Sequence, residues 1–261
     1  MLQFCANLSL LFTEVELIDR FKLAKACGFN AVEIQFPYEL PAKQIQQCLE
    51  AHQLQLILFN VPAGDLMQGG EGLASVPQKQ MEFKAALAQA VDYAEYLQPQ
   101  VINVLAGRCF EPLNTAVYLE TFKENLGLAL AAFSPLGIKT AFEAINLYDM
   151  PHFLIHSGAQ LVALWQQLNH PDLGLQYDIY HAARMGENFI DFIQQHSEKI
   201  AHLQLADSPG RGQPGTGTLD FNAIFRCIEQ SAYQGWIGAE YKPQGGSVNS
   251  LAWLACTGGA F

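Results

Sequence analysis

The chain has 261 residues, half of them hydrophobic and 15% charged, so it can bury a large core. Its formal net charge of −11 and its lack of any Lys/Arg-rich run speak against the basic face that nucleic-acid binding needs. Six scattered cysteines (Cys5, Cys27, Cys48, Cys109, Cys227 and Cys256) form no CxxC pair, which disfavours a zinc or disulfide framework and suits buried free thiols in a reducing compartment.

A strand–helix rhythm runs from end to end. Leu2–Asn7 reads as a strand, and Glu14–Cys27 as an amphipathic helix stopped by Gly28. Strand Ala31–Phe36, helix Pro41–His52 and strand Leu54–Asn60 follow. After a Gly-rich loop, Pro62–Pro77, come helix Gln78–Leu97, strand Val101–Leu105, helix Thr115–Phe133 and strand Gly137–Glu143. Ser157 caps a helix to Leu168, ahead of strand Leu173–Asp178. The chain closes with helix Asn188–His196, strand Ile200–Leu205, helix Phe221–Ser231, strand Gly235–Tyr241 and a helix from Ser247 to Ala255.

Eight strands alternating with eight helices predict an α/β fold, a (β/α)8 TIM barrel forming one domain over residues 1–261. An open doubly wound sheet is the alternative, but the first strand is not followed by GxGxxG. The N-terminus, Met1-Leu2-Gln3-Phe4, has no basic leader, and no apolar run reaches the roughly 18 residues of a membrane span, so a cytoplasmic protein without membrane partners is expected. The long loops Pro62–Pro77, Gly107–Asn114, Ala144–His156 and Asp207–Leu219 all follow strands and should share the catalytic face.

Four polar residues stand at the ends of apolar strand-like runs: Glu143, Asp178, Gln204 and Glu240. Their intervals of about 35, 26 and 36 residues approximate one strand–helix unit each. In a parallel barrel such positions converge on one mouth, where two Glu, one Asp and an amide offer oxygen ligands to a hard divalent cation. Each also has a bland reading: a salt-bridged strand end for Glu143, a helix cap beside a surface His181 for Asp178, an interior hydrogen-bonded amide for Gln204. Lys242, two residues from Glu240, either holds a substrate anion or pairs with Glu240; Arg211, in a Gly-rich loop, either clamps a carboxylate or is a solvated loop charge. His152 and His156 are lid residues at best, and His52, His170 and His196 receive no role.

The segments Phe4-Cys5-Ala6-Asn7-Leu8-Ser9, Phe36-Pro37-Tyr38, Asn60-Val61-Pro62-Ala63-Gly64-Asp65, Glu143-Ala144-Ile145-Asn146, Gln176-Tyr177-Asp178-Ile179-Tyr180-His181, His202-Leu203-Gln204-Leu205-Ala206-Asp207, Pro214-Gly215-Thr216-Gly217 and Glu240-Tyr241-Lys242-Pro243 together resemble the hydroxypyruvate isomerase family, including the 2-oxo-tetronate isomerases. The resemblance covers essentially the whole chain. It implies a xylose-isomerase-like barrel with a divalent metal, Mg²⁺ or Mn²⁺, held by Glu143, Asp178, Gln204 and Glu240. Glu143 and Glu240 are then also the acid/base pair. His181, Arg211, Lys242 and Asn60 are assigned to a small anionic hydroxy-oxo acid of three or four carbons.

The implied reaction is an aldose–ketose type isomerisation through an enediolate. Ketose 3-epimerases look like cousins but carry His where this chain has Gln204. A catalytically silent sugar-binding barrel is a further alternative. Endonuclease IV shares the broad fold but uses a three-metal cluster with several His ligands, whereas strands 3 and 4 here end in Asn60 and Asn103 and the loop after strand 7 has no DxH. Association of like chains stays open.

Overall fold

Strands covered on both faces read as nearly continuous apolar runs, and the runs of this chain pair side by side in sequence order. A computed structural model describes residues 2–256. Its strands are β1 (Gln3–Asn7), β2 (Ala31–Glu33), β3 (Gln55–Asn60), β4 (Val101–Asn103), β5 (Lys139–Glu143), β6 (Leu173–Asp178), β7 (Ile200–Leu205) and β8 (Trp236–Ala239). All neighbours are parallel, and β8 pairs back onto β1, closing the barrel.

The helices are α1 (Leu17–Ala26), α2 (Ala42–His52), α3 (Gln80–Leu97), α4 (Thr115–Phe133), α5 (Gly158–Leu168), α6 (Ile179–Arg184), α7 (Phe189–His196) and α8 (Phe221–Gln230). Several predicted ends move inward. β2, β4 and β8 stop short of Phe36, Leu105 and Tyr241, and α1 starts at Leu17 rather than Glu14. The strands leave the ladder where the chain turns into the loops of the mouth. Helix α6 was hidden in the sequence, since it has only six residues and follows directly on Asp178, the last residue of β6 and its cap. The predicted closing helix is a 3-10 segment, Asn249–Cys256.

Alternation sorts the core into two clusters. Outward-facing residues such as Phe4, Phe59, Phe142 and Leu203 pack under the helices. Cys5, Ala31, Ile57, Leu58, Val101 and Ala141 form a small separate cluster. Towards the carboxyl ends of the strands the interior turns polar. Among the cysteines whose side chains are described, none is in a disulfide. Cys27 and Cys48 are half-buried rather than buried, and the side chain of Cys256 lies outside the described set.

One irregularity sets the level of the site. Between β6 and β7 the register passes from Leu175↔Ile200 to Gln176↔His202, leaving Ala201 as an extra residue. A Cβ on Gly174 would collide with Ala201, so glycine there lets the bulged strand lie close. The slip puts Asp178 directly opposite Gln204. No helix among the described residues is long and apolar enough to cross a membrane.

Candidate functional site

The carboxyl ends of the strands open into a cavity of about 470 Å³ lined by Glu143, Gln204, Glu240, Arg211, His181 and Lys242, among others. All three carboxylates of the predicted quartet are nearly inaccessible: Glu143 is 5%, Asp178 2% and Glu240 4% exposed. Burying three acids together is costly unless cations meet them.

Glu143 ends β5, where its Oε1 accepts from Asn103 Nδ2 at 2.8 Å. No salt bridge reaches it among the described residues, so the bland reading fails for it. Burial, then the Glu240 and Asp178 carboxylates, push Glu143 well above the usual carboxylate range. Asp178 does cap α6, its Oδ1 accepting from the Tyr180 N–H at 2.8 Å, yet Oδ2 is buried without a hydrogen-bond partner. Burial and Glu240, partly offset by Arg211, push Asp178 up to about 7. The cap thus occupies one oxygen and leaves the other without a hydrogen-bond partner, so the two readings do not exclude each other.

Glu240 lies one residue beyond β8. Its Oε1 accepts from Gln35 Nε2 at 2.7 Å and Asn7 Nδ2 at 3.1 Å. Its Oε2 accepts from Arg211 Nη2 at 2.5 Å. Arg211 is therefore no solvated loop charge. It also stands 3.7 Å from Asp178 Oδ2 and stacks over the Tyr180 ring at 5.2 Å. Its loop is fastened by Asp207, whose carboxylate accepts backbone N–H groups from Ser208, Gly215, Gly217 and Leu219. A Cβ on Gly217 would fall on Asp207 and on the Ser208 carbonyl, which is why that turn is glycine.

His181 is buried, not on the surface. One ring nitrogen meets Asn146 Nδ2 at 2.6 Å and the other lies 3.5 Å from Asp178 Oδ2. Burial, then the Arg211 charge, hold its pKa well below that of a free imidazole, so it is neutral at pH 7. Asn60 also lines the cavity and is oriented through its oxygen, which accepts from Asn103 Nδ2 at 3.0 Å. Lys242 is exposed at the cavity edge and forms no ion pair with Glu240; Arg211 holds that place.

Several site-building residues escaped the sequence reading. Gln35, Asn7 and Asn103 donate to the two glutamates. Asp149 lines the cavity and accepts from Tyr180 OH and Asn146 Nδ2. Glu33 lies fully buried against Gln204 and accepts from its Nε2 at 2.8 Å. Glu33 and Gln35, two polar residues at strand period within Ala31–Phe36, were the available signal. Of the predicted lid residues, His152 sits on an exposed loop against Phe110, and His156 bonds its own turn.

The set fits a hard cation. Asp178 Oδ2 is an orphaned buried oxygen beside two further carboxylates, and all the donors are oxygens. A second cluster, Cys5, Glu33 and His202, has its ligand atoms within 4.8 Å of one another. There His202 Nε2 and Glu33 Oε2 are in direct hydrogen bond at 2.5 Å, with Cys5 Sγ donating to the same oxygen.

The sequence profile of the xylose isomerase-like TIM barrel matches residues 21–255. The hydroxypyruvate isomerase of Escherichia coli (strain K12) is 38% identical over 254 residues, 97% of this chain and 98% of that protein. The 2-oxo-tetronate isomerase of Pectobacterium atrosepticum is 34% identical, covering 96% of both. A crystal structure described as an AP endonuclease, family 2, from Brucella melitensis superposes with a TM-score of 0.94 at 35% identity, covering 98% of this chain and 99% of that one.

Proposed function

The chain belongs to the xylose isomerase-like TIM barrel family and, within it, to the group that includes the hydroxypyruvate and 2-oxo-tetronate isomerases, and from that premise we propose that it isomerises a small hydroxy-oxo acid with the help of a divalent cation. It is an isomerase. The observation that carries the finer reading is the convergence of Glu143, Asp178 and Glu240 on one buried centre with Arg211 as the bridging cation.

Glu143, Asp178, Gln204 and Glu240 would hold the metal, Mg²⁺ or Mn²⁺. When bound, it supplies Lewis acidity to the carbonyl and hydroxyl oxygens of the substrate. The chain itself moves the proton. Glu143 on β5 and Glu240 after β8 approach the cavity from different walls. One glutamate removes the hydrogen from the carbon bearing the hydroxyl, leaving an enediolate. A glutamic acid returns a proton to the neighbouring carbon, and a proton passes between the two oxygens. For hydroxypyruvate the product is tartronate semialdehyde; for a 2-oxo-tetronate it is the 3-oxo isomer.

Neutral His181 is suited to hydrogen-bond a substrate oxygen without adding charge. Arg211 and Lys242 supply the positive charge that an anionic substrate needs in a protein of net charge −11. The fixing of Asn60 Oδ1 leaves its Nδ2 to donate to a substrate oxygen. The chain is proposed to do this as one barrel domain.

The description of the Brucella protein brings a second reading, abasic-site cleavage. Among the described residues, His181 is the one histidine lining the cavity, where a trinuclear cluster would need several. The test is deuterium wash-in followed by NMR, with Mn²⁺-loaded protein and hydroxypyruvate, a 2-oxo-tetronate and a neutral ketose in turn. EDTA-sensitive exchange at the carbon next to the carbonyl of an acid is expected. Exchange confined to the ketose favours a 3-epimerase. Nicking of abasic duplex with no exchange at all would replace the isomerase reading.

A further inference from the structure

Gln204 differs from the other three proposed ligands in one chemical respect. A carboxylate offers oxygen on either edge, whereas an amide ligates a hard cation only through its oxygen and is useless when flipped. Something must choose the flip. Gln176 Nε2 donates to Gln204 Oε1 at 2.6 Å, but Gln176 is itself an amide and can flip with its partner. The group that cannot flip is Glu33.

We propose that Glu33 is a positioning residue for the cation site: its carboxylate accepts the Gln204 Nε2–H and thereby turns the Gln204 oxygen to the opposite edge, where a ligand is needed. With the amide reversed, its oxygen would face a buried carboxylate with no proton between them, leaving that oxygen unsatisfied and the carboxylate with one donor fewer in a dry interior. Glu33 is built for this. It is 0% exposed, and both its oxygens are occupied by donors. Oε1 accepts from Asn7 and Gln204 at 2.8 Å each, and Oε2 from His202 and Cys5. Reaching His202 requires it to cross β1 and β8, and β8 presents Gly238 there, whose Cβ would land on the Glu33 carboxylate.

The same contacts assign the Cys5–Glu33–His202 cluster. Its facing atoms, Cys5 Sγ, Glu33 Oε2 and His202 Nε2, are engaged with one another in hydrogen bonds, while His202 Nδ1 is buried without a partner, and the cluster serves as the seat of Glu33. Asn7 extends the device, since its one amide group donates to both Glu33 and Glu240. The buried carboxylate thus reaches two of the four ligands.

This inference rests on the metal site proposed above, and the experiment separates the two. Mn²⁺ affinity is measured by EPR titration for the native chain, Glu33→Gln, and the exchanged variant Glu33→Gln/Gln204→Glu, with metal-free melting curves as the check on folding. A neutral amide at position 33 cannot enforce the flip, so E33Q should lose about 10–100-fold in Mn²⁺ affinity, the range of outer ligand supports. In the exchanged variant residue 204 has oxygen on both edges and needs no orientation, so most of that loss should return. Native chain that takes up no Mn²⁺ overturns the site itself. Native binding with E33Q within about threefold overturns the role of Glu33 alone. An exchanged variant as weak as E33Q would show that Glu33 acts through general packing, and overturns the orientation argument. Should E33Q alone not fold, the exchanged variant decides, with affinity within about tenfold of native as the expected result.

Discussion

Arg211 Nη2 lies 2.5 Å from Glu240 Oε2 and 3.7 Å from Asp178 Oδ2, so a cation of the chain itself bridges two of the four proposed metal ligands. The guanidinium is held charged because these carboxylates outweigh the effect of its burial. A metal held by the proposed ligands would have to share these acids with Arg211. Arg211→Gln should lower kcat/KM by about 10²–10³, as removal of one preorganised charged donor does, while Mn²⁺ affinity stays level or tightens. Calorimetric titration checks this, and a weaker metal site would mean that Arg211 holds the ligands in place rather than competing for them.

Glu143→Gln and Glu240→Gln should each cut turnover by about 10²–10⁴, the span of general acid–base catalysis, and more where metal is also lost. The informative reading is wash-in of solvent deuterium at matched Mn²⁺ occupancy. If Glu143→Gln exchanged at the native rate with full occupancy, the proton-transfer scheme would fail.

In metal-free protein the contribution of Asp178 and Glu143 to stability should fall as pH rises. Asp178, at about 7, and Glu143, well above its ordinary value, both bind protons in the folded chain that the unfolded chain has released. From about pH 4, where an unfolded Asp gives up its proton, to about pH 7, these two carboxyls bind more protons in the folded state and their contribution to stability falls, while neutral His181, which the unfolded chain protonates below about pH 6.5, acts in the opposite sense. Added Mn²⁺ competes with those protons and should raise the melting temperature more at about pH 8 than at about pH 5.5. Melting curves with and without EDTA at the two pH values test it, and a metal shift that is larger in acid would contradict the assignment.

Gly238→Ala should destabilise the barrel by about 1–3 kcal/mol, the usual cost of overpacking, because the new methyl falls on Glu33 in a closed interior. Gly127→Ala, with open space at its Cβ, is the control. Chemical denaturation of both variants gives the comparison. Equal midpoints would mean that Glu33 has another place to go.

Asp207→Ala removes the acceptor for four backbone N–H groups of the loop that carries Arg211. Bonds to an ionised acceptor are worth about 1.5–3 kcal/mol each. Limited proteolysis should then cut within residues 208–218 well before the native chain is touched, with kcat/KM falling alongside. Native protease resistance would show that the turn holds itself.

The convergence of the proposed quartet was legible because polar residues are conspicuous at the ends of apolar runs, and strand spacing predicts that they meet. Glu143, Asp178 and Gln204 stand at or near strand ends as expected. The supports were not legible for a physical reason. Asn7 and Glu240 are 233 positions apart and meet only because β8 closes on β1. Gln35 reaches Glu240 across 205 positions. No local pattern encodes such a meeting. The burial of Arg211 was also hidden, since a loop arginine looks the same whether it faces water or two carboxylates. Asp178 as a helix cap and Asp178 as a ligand looked like rivals in the sequence, but the cap uses only Oδ1 and leaves Oδ2 for the proposed ligand role.

The origin of each group around the barrel has a consequence for how the chain could be cut and rejoined. All four proposed ligands come from β5 onward, while Asn7, Glu33, Gln35 and Asn103, which hold Glu240, Gln204 and Glu143, come from β1 to β4 and the residues just after β2. The two halves are unlike in kind, so a barrel made by duplicating either half would close without a working centre. Duplicated second halves would bring carboxylates with too few amides to steady them; duplicated first halves would bring amides with nothing to steady. A circular permutant opened between α4 and β5 keeps one copy of each half, and the centre should reassemble whichever half leaves the ribosome first.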